Sequence, residues 1–434
     1  MKILDACDNQ RGAVLVIGLI FMAILSIMGT AAYLTTSSEL MISRNYKTAK
    51  AAFYAAEAGV EEARERLRGS NSDANYAGDP DASPDQWWSA YILTSSSWQT
   101  PDDPNYDSNY QNYIPTTTSH TATAITANSL QSNISYWVKI RHKREYDAEQ
   151  EGHTTTSTHY FDNDGSTSTH SAADPGNIIY YGYGNPATPT TAVQFTTSGA
   201  TEHKPVEIIR AYGSRSNSSK IIEVEVVRNP GPVIKAAIYA RGNVTVNGNS
   251  ARINGNDAGT CGGVNKPPVY TKTPATTSAD PVTLLGNPNT ATSGPDDLNI
   301  AGYVSSLKAS AIITITSDVN GTNFGSATNF VTCYCDATAF HPLGLDMRNS
   351  TGYGILLVEG DLTMAGGFNW NGLVLCTGTL TFSGGGPNSI NIQGAMLANN
   401  TVTLNGGINV TYDSCMVDNS LNNATLSILS WKQS

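Results

Sequence analysis

Residues Ala13 to Leu34, AVLVIGLIFMAILSIMGTAAYL, carry no charge, and a helix of about 20 apolar residues is what crossing a bilayer core of about 30 Å requires. The run therefore fixes a membrane helix, with Ile17, Ile20, Ile24 and Leu34 on its apolar surface. It does not stop as an ordinary anchor does. From Ile42 to Leu67 there is no Pro and no Gly but Gly59, and apolar residues recur at Ile42, Tyr46, Ala49, Phe53, Ala56, Val60, Ala63 and Leu67. The gaps alternate four and three, which draws one stripe along a helix. Glu61, Glu62, Arg64, Glu65, Arg66 and Arg68 occupy the remaining face at ion-pair spacing. The two halves read as one rod, residues 13–68, roughly 80 Å long at 1.5 Å per residue. Its first half suits lipid, and its second half suits a seam of Phe53, Ala56, Val60 and Leu67 against a soluble body.

Before the rod, MKILDACDNQRG (1–12) is a polar leader. An ordinary secretory signal needs charge, then hydrophobe, then a cut site; here a cut would come before the hydrophobe. Arg11-Gly12 followed at once by the apolar run resembles the type IV prepilin processing site. From QRGAVLVIG through Glu39, Asn45 and the run Phe53-Tyr54-Ala55-Ala56-Glu57-Ala58-Gly59, the chain resembles the N-terminal domain of PilX-type minor pilins. The resemblance implies cleavage after Gly12 by prepilin peptidase, N-methylation of Ala13, residence in the inner membrane and then in an extracellular pilus. It implies as partners other minor pilins, the major pilin and a PilY-type tip adhesin, and it implies a helix packed on a sheet meander. One position departs from the bulk pilins, which carry a Glu five residues after the cut. Ile17 stands there, so no carboxylate meets a neighbour's terminal amine in the apolar fibre core, and a minor or tip position is expected.

The net charge of −11 argues against nucleic-acid binding, which needs a basic surplus. Only 14% of residues are charged, a surface suited to the cell exterior. Of six cysteines, Cys7 lies in the leader, leaving an odd set in which Cys261, Cys333, Cys335 and Cys415 are the disulfide candidates. Cys376, inside an apolar strand, reads as a buried free thiol. No Cys-x-x-Cys pair occurs, so no structural zinc site is expected.

Past the rod, residues 69–229 read as a pilin-like α+β domain. Its polar stretch from 70 to 135 reads as loops pinned by Trp87, Trp88 and Trp98. Tyr136, Val138 and Ile140 alternate with Lys139, Arg141 and Lys143, the period of a half-solvated strand. Ile178–Tyr183, Val206–Tyr212 and Lys220–Arg228 complete a small antiparallel sheet, and Pro230-Gly231-Pro232 closes it off.

Within 233–434, four blocks align without gaps: AIYARGNVTV (237–246), ILLVEGDLTM (355–364), LVLCTGTLTF (373–382) and AMLANNTVTL (395–404). The eighth and tenth places are apolar and the ninth is always Thr. Spacings of 18 and 22 residues between the last three starts are one coil of a solenoid. We therefore expect a parallel β-helix with Val244, Leu362, Leu380 and Val402 stacked inside and Thr245, Thr363, Thr381 and Thr403 outside. Residues 247–354 are expected as a lateral insertion, with a helix at Leu298–Leu307 and a strand at Ala311–Thr316. Trp431 is expected in a terminal cap.

The fold class is thus α+β then all-β. Solenoids of this kind also host polysaccharide enzymes, which need converging carboxylates. The repeats offer only Glu359 and Asp361, replaced elsewhere by Arg, Asn or Thr, so they read as turn residues and the chain as no enzyme. Asp162 and Asp164 before Gly165 are weak calcium candidates, but a plain turn is preferred, and no metal or cofactor is expected. His153, His159 and His170 read as exposed, and the basic row Lys139, Arg141, Lys143, Arg144 as a hydrated strand face. The function expected is that of a minor, tip-proximal pilus subunit that primes assembly and presents a β-helix. A tip adhesin gripping a surface or glycan, a type II secretion pseudopilin and a polysaccharide-active enzyme stand as alternatives.

Overall fold

A computed structural model describes residues 8–69, 76–78, 88–93, 122–131, 133–152, 160–161, 170, 176–183, 193–196, 203–228, 231–247, 251–272, 283–295, 298–340, 344–384, 390–424 and 426–433. The rod is one unbroken helix, α1 (Asp8–Arg66). Thr30 and Thr35 return their hydroxyls to Ser26 O and Ala31 O at 2.8 and 2.9 Å, so neither leaves a polar group bare in the apolar half. Contact with the body begins later than the stripe predicts. Ile42 and Tyr46 remain 65% and 68% exposed, because the sheet ends at a hairpin tip where Ser218 Oγ meets Thr48 Oγ1 at 3.0 Å. From Ala52 onward the seam is tight: Ala56, Val60 and Ala63 are fully buried, Leu67 nearly so, and Phe53 packs at its edge. Gly59 and Gly213 permit that approach, since a Cβ on Gly59 would lie 2.9 Å from the Tyr136 ring and one on Gly213 would lie 2.1 Å from Ala52 O.

The sheet beneath α1 contains β1 (Ser89–Leu93), β2 (Ala122–Thr126), β3 (Ile134–His142), β4 (Tyr160–Phe161), β5 (Tyr180–Tyr183), β6 (Val193–Thr196), β7 (His203–Arg215) and β8 (Ser218–Val227). The order β2-β1-β3-β7 continues to β8, while β5, β6 and β4 extend it beyond the far end of β7. Two strands thus lie within 70–135, which the sequence presents as loops. Trp88, expected as a loop pin, is buried in the core beside β1.

The basic row of β3 is not hydrated. Lys139, Arg141, Lys143 and Arg144 are 9%, 5%, 1% and 2% exposed, because α2 (Glu145–Gln150) folds back across the end of the strand and supplies the counter-charges. Arg141 makes a two-pronged pair with Asp147 at 2.6 and 2.8 Å, and Lys143 bridges Glu151 and Glu225 at 2.5 and 2.6 Å. Alternation reports two chemically different faces; it does not report that the charged one meets water.

The second body is a three-sided parallel β-helix. Its central coils run β20 (Thr351–Glu359), β21 (Leu362–Ala365), β22 (Asn369–Cys376), β23 (Leu380–Ser383), β24 (Ile390–Ala398), β25 (Val402–Asn405) and β26 (Ile408–Thr411). The four blocks stack in the register expected. Leu362, Leu380, Val402 and Val244 form one buried file, and Thr363, Thr381, Thr403 and Thr245 form the half-exposed file beside it. Strands β20, β22 and β24 bend at Gly354, Gly372 and Gly394, which are mutual register partners with φ of 124°, 136° and 140°. A Cβ on Gly394 would lie 1.9 Å from Gly372 O, so only glycine can turn this corner in successive coils.

Residues 247–354 do not form a lateral insertion. The coil of β9 (Ile238–Ala240), β10 (Val244–Asn247) and β11 (Arg252–Asn254) stacks on the last of the central coils, β24 to β26. Then β12 (Val269–Thr271), β13 (Thr283–Leu285) and β14 (Thr292–Ser293) extend that end. The chain crosses to the opposite end through α3 (Ile300–Leu307), packed on β20 and β22. There β15 (Ile313–Thr314), β16 (Val319–Asn320), β17 (Asn323–Phe324), β18 (Val331–Asp336) and β19 (Leu345–Arg348) build the first coils of the run back. A short α4 (Ala337–Phe340) sits between the last two. Degenerate sequence hid these coils: their strands are two to six residues long and lack the Gly-x-apolar-Thr signature.

From the last coil, α5 (Ser414–Asn422) returns over the glycine corner, where Ser420 Oγ lies 2.3 Å from the Cβ position of Gly372. The following β27 (Ser427–Gln433) is no solenoid cap. It pairs antiparallel with β8 and closes the edge of the first sheet, with Trp431 opposite Val224. Arg64, Gly69 and Arg68 bond the intervening carbonyls of Leu426, Asn422 and Asn423, which ties the end of α1 to the connector.

Candidate functional site

Two surfaces stand out, and the first is the bare half of α1. Large apolar side chains from Val14 to Tyr33 are 47% to 72% exposed, including Ile17 at 54%, Ile20 at 53% and Ile24 at 47%, with Leu34 at 61%. Among the described residues this is the one helix long and apolar enough to cross a membrane, with a mean hydropathy of 2.6 over its best window. So much uncovered apolar surface needs lipid or other apolar helices around it. Gly12 and Ala13 lie exposed on the same helix, with nothing near the Cβ position of Gly12.

Rod and body are fastened together at Glu62. Buried to 8% exposure, its carboxylate accepts from Arg66 Nε at 2.7 Å, from the Asn128 amide at 3.1 Å and from the Tyr136 hydroxyl. Sequence placed Glu62 on a charged outer face; the structure uses it to fasten helix to sheet.

The second surface is a groove of about 540 Å³ on one side of the solenoid. Two outward files from the first halves of β20, β22 and β24, and from β26, line it: Thr351, Asn369, Asn391, Asn409 and, beside them, Tyr353, Asn371, Gln393, Thr411. The alternate residues point inward, where Trp370 stacks on Phe368 at 6.1 Å and donates its ring N–H to Gly354 O at 3.0 Å. The outer carboxamides are held in place. Asn391 donates to Asn369 Oδ1 at 3.0 Å, Asn369 to Gly367 O at 3.1 Å, Asn371 to Gly352 O at 3.3 Å and Gln393 to Asp413 Oδ2 at 2.7 Å. Asp413 also caps α5 through Met416 N.

Ala258 forms part of the wall, on a loop fixed to the start of α5 by the Cys261–Cys415 disulfide. Asp257 accepts from Ser414 Oγ and its amide at 2.7 and 2.8 Å. Partial burial works against its charge, but these bonds hold its carboxyl below the usual range. Sequence reading missed this groove although its signal was present. Thr-Gly-Tyr-Gly, Asn-Trp-Asn-Gly and Asn-Ile-Gln-Gly occupy 351–354, 369–372 and 391–394, polar residues flanking one inward residue before the corner glycine.

Of the four disulfide candidates, Cys261 and Cys415 are joined, whereas Cys333 and Cys335 are buried free thiols like Cys376. Both are fully buried on β18, with the Val358 rung between Cys335 and Cys376, and burial pushes all three thiols up to about 12. His170 is not exposed; Glu145 and Glu149 hold it at 3.3 and 2.7 Å. Glu359 accepts from Lys308 at 3.1 Å and from Tyr334 at 2.7 Å, and Asp361 takes the Thr379 amide at 2.6 Å, both as turn ties. Asp162, Asp164, His153 and His159 lie outside the described residues. Among the described residues no group of His, Cys, Asp or Glu is arranged to hold a metal.

Residues 11–61 match the family described as PilX N-terminal. Among solved structures the chain is similar to the competence-associated pilin ComZ from Thermus thermophilus, at 10% identity over 89% of this chain and 98% of that one, with a TM-score of 0.21. A superposition that loose carries no argument by itself. No curated protein matches.

Proposed function

We propose that this type IV pilin-like chain is a minor, tip-proximal pilus subunit that helps prime assembly and carries the β-helix as an outward-facing binding body. The observation that carries the reading is the unbroken passage of a bare apolar helix into a seam that the chain's own sheet buries, on residues that match a pilin N-terminal family. Such a helix leaves lipid for the apolar interior of a fibre without refolding. Ile17 where bulk pilins place an acid, and a body too large to repeat along a shaft, favour the tip. The subunit acts by binding and not by catalysis, with the major pilin, other minor pilins, a PilY-type adhesin and prepilin peptidase as its contacts.

The test is Gly12→Val in the native host, read by mass spectrometry of the N-terminus and by gold-labelled antibody to the solenoid. Wild type should begin at methylated Ala13 and label fibre ends, while the variant should keep Met1 and label no fibre. An intact Met1 on wild-type fibres would overturn the processing, and gold along the whole shaft would overturn the tip placement. Loss of protein secretion with pili intact, on deleting the chain, would reassign it as a pseudopilin.

A further inference from the structure

We propose that the groove lined by the asparagine file is a binding site for an uncharged polysaccharide lying along the stacking axis. The inference rests on reading the solenoid as the displayed body and names what that body takes.

Hydroxyls and carboxamides line the groove with Ala258, Ile392 and the Tyr353 ring between them, and among the described residues no charged side chain lines it, so it offers hydrogen bonds and apolar contact but no ion pair. Neutral sugar hydroxyls, which both donate and accept, are the partners that carboxamides and hydroxyls match best. Coils repeat at about 4.8 Å, so four rungs present one Thr and three Asn in a single file over about 14 Å. A pyranose in an extended chain advances by a comparable step, so successive rings would meet successive rungs.

The rungs are pre-set for this. Asn371 and Gln393 each commit one amide hydrogen to a protein acceptor, which fixes the plane of the group where both side chains line the groove. Little side-chain freedom is then lost on binding. At one end Tyr353 is half-exposed and braced edge-on by Phe330 at 6.0 Å, a ring suited to stacking on the apolar face of a sugar. An extended peptide fits less well, because peptides recognised in this conformation pair their backbone with a sheet edge, and this surface is a sheet face. A polyanion would find no cation in the lining and a chain of net charge −11.

The full chain, held in a polyoxyethylene detergent because sugar-headed detergents would compete, should be titrated with neutral, uronic and sulfated oligosaccharides at low and high salt. Neutral oligomers of three or more units are expected to bind with affinity insensitive to salt. Asn371→Ala and Tyr353→Ala should each weaken binding about fivefold to tenfold, whereas Thr381→Ala, on another side of the solenoid, should leave it unchanged. Asn369→Asp preserves shape, so a loss there with an unshifted melting temperature excludes unfolding as the cause. Binding of charged glycans alone, competition by peptides alone, no binding at all, or wild-type affinity in all three groove variants would overturn the proposal. Gold labelling of fibres in the same strains separates the two readings: labelled fibres with no glycan binding sink this site only, and glycan binding without labelled fibres sinks the pilus placement only.

Discussion

In the first sheet, which is mixed because β1 and β2 run parallel as do β4 and β6, every strand differs from its neighbours, and the core closes where α1 packs across β3, β7 and β8; in the solenoid Leu362, Leu380, Val402 and Val244 repeat one place in one file. The first body buries charge to do so. Lys143, Glu151, Glu225, Arg141 and Asp147 interlock where α2 crosses β3. The second buries almost no charge and spends its special residues on geometry, at the glycine corner. A body assembled from unlike parts tolerates one altered part, whereas a body assembled from one part repeated transmits a fault to the coils on either side.

The largest effect should come from breaking that repeat. Gly394→Val forces a side chain into Gly372 O and leaves the residue at a φ of 140°, which should cost about 4 kcal/mol or more. In urea the solenoid should then unfold well before the sheet; one shared transition in wild type and variant alike would show that the bodies are not energetically separate. Next comes Cys415→Ser, which opens a link closing 154 residues of sequence and should lower solenoid stability by about 2–4 kcal/mol. The sheet should be untouched. Alkylation at neutral pH should meanwhile leave Cys333, Cys335 and Cys376 unmodified until unfolding.

The smallest effect sharpens the comparison from the sheet's side. Although burial opposes it, the neighbouring Lys143 and Lys432 hold the Glu151 carboxyl down from 4.5 to about 2. A folded value below the unfolded one means stability present above about pH 4.5 and lost as pH falls toward 2. Because Glu151 is partly solvated, its share is about 1 kcal/mol once screening is allowed for. Burial raises Glu225, which works in the opposite sense and softens the slope. Glu151→Gln should therefore flatten the decline of sheet stability between pH 4.5 and 2, measured by urea titration, and leave the solenoid's pH profile as it was.

Rod, seam and central coils were legible because each rests on a period: 3.6 for the helix, 2 for the strands, one coil for the repeat. What stayed hidden has no period. The strands of 252–348 are too short to repeat a pattern, so they read as an insertion. The counter-charges of Arg141 and Lys143 come from the helical turn that follows, Asp147 and Glu151, and from Glu225 on β8, which the alternation within the strand does not report, so that strand read as wet. Cys261 and Cys415 could be told from Cys333 and Cys335 only by three-dimensional neighbours. The groove is a different case, since its asparagines do recur at 369, 391 and 409, but all three lie outside the aligned apolar blocks, the first two ahead of a corner glycine.

The coil containing Val244 rests on the coil containing Val402, 158 positions later in the chain. During synthesis the earlier coil meets β12 and β13 on one side at once, but its other side stays uncovered until nearly all that follows has emerged. The pile is thus not closed in the order in which its pieces arrive: the last central coil is the keystone that joins the opening coils to the rest.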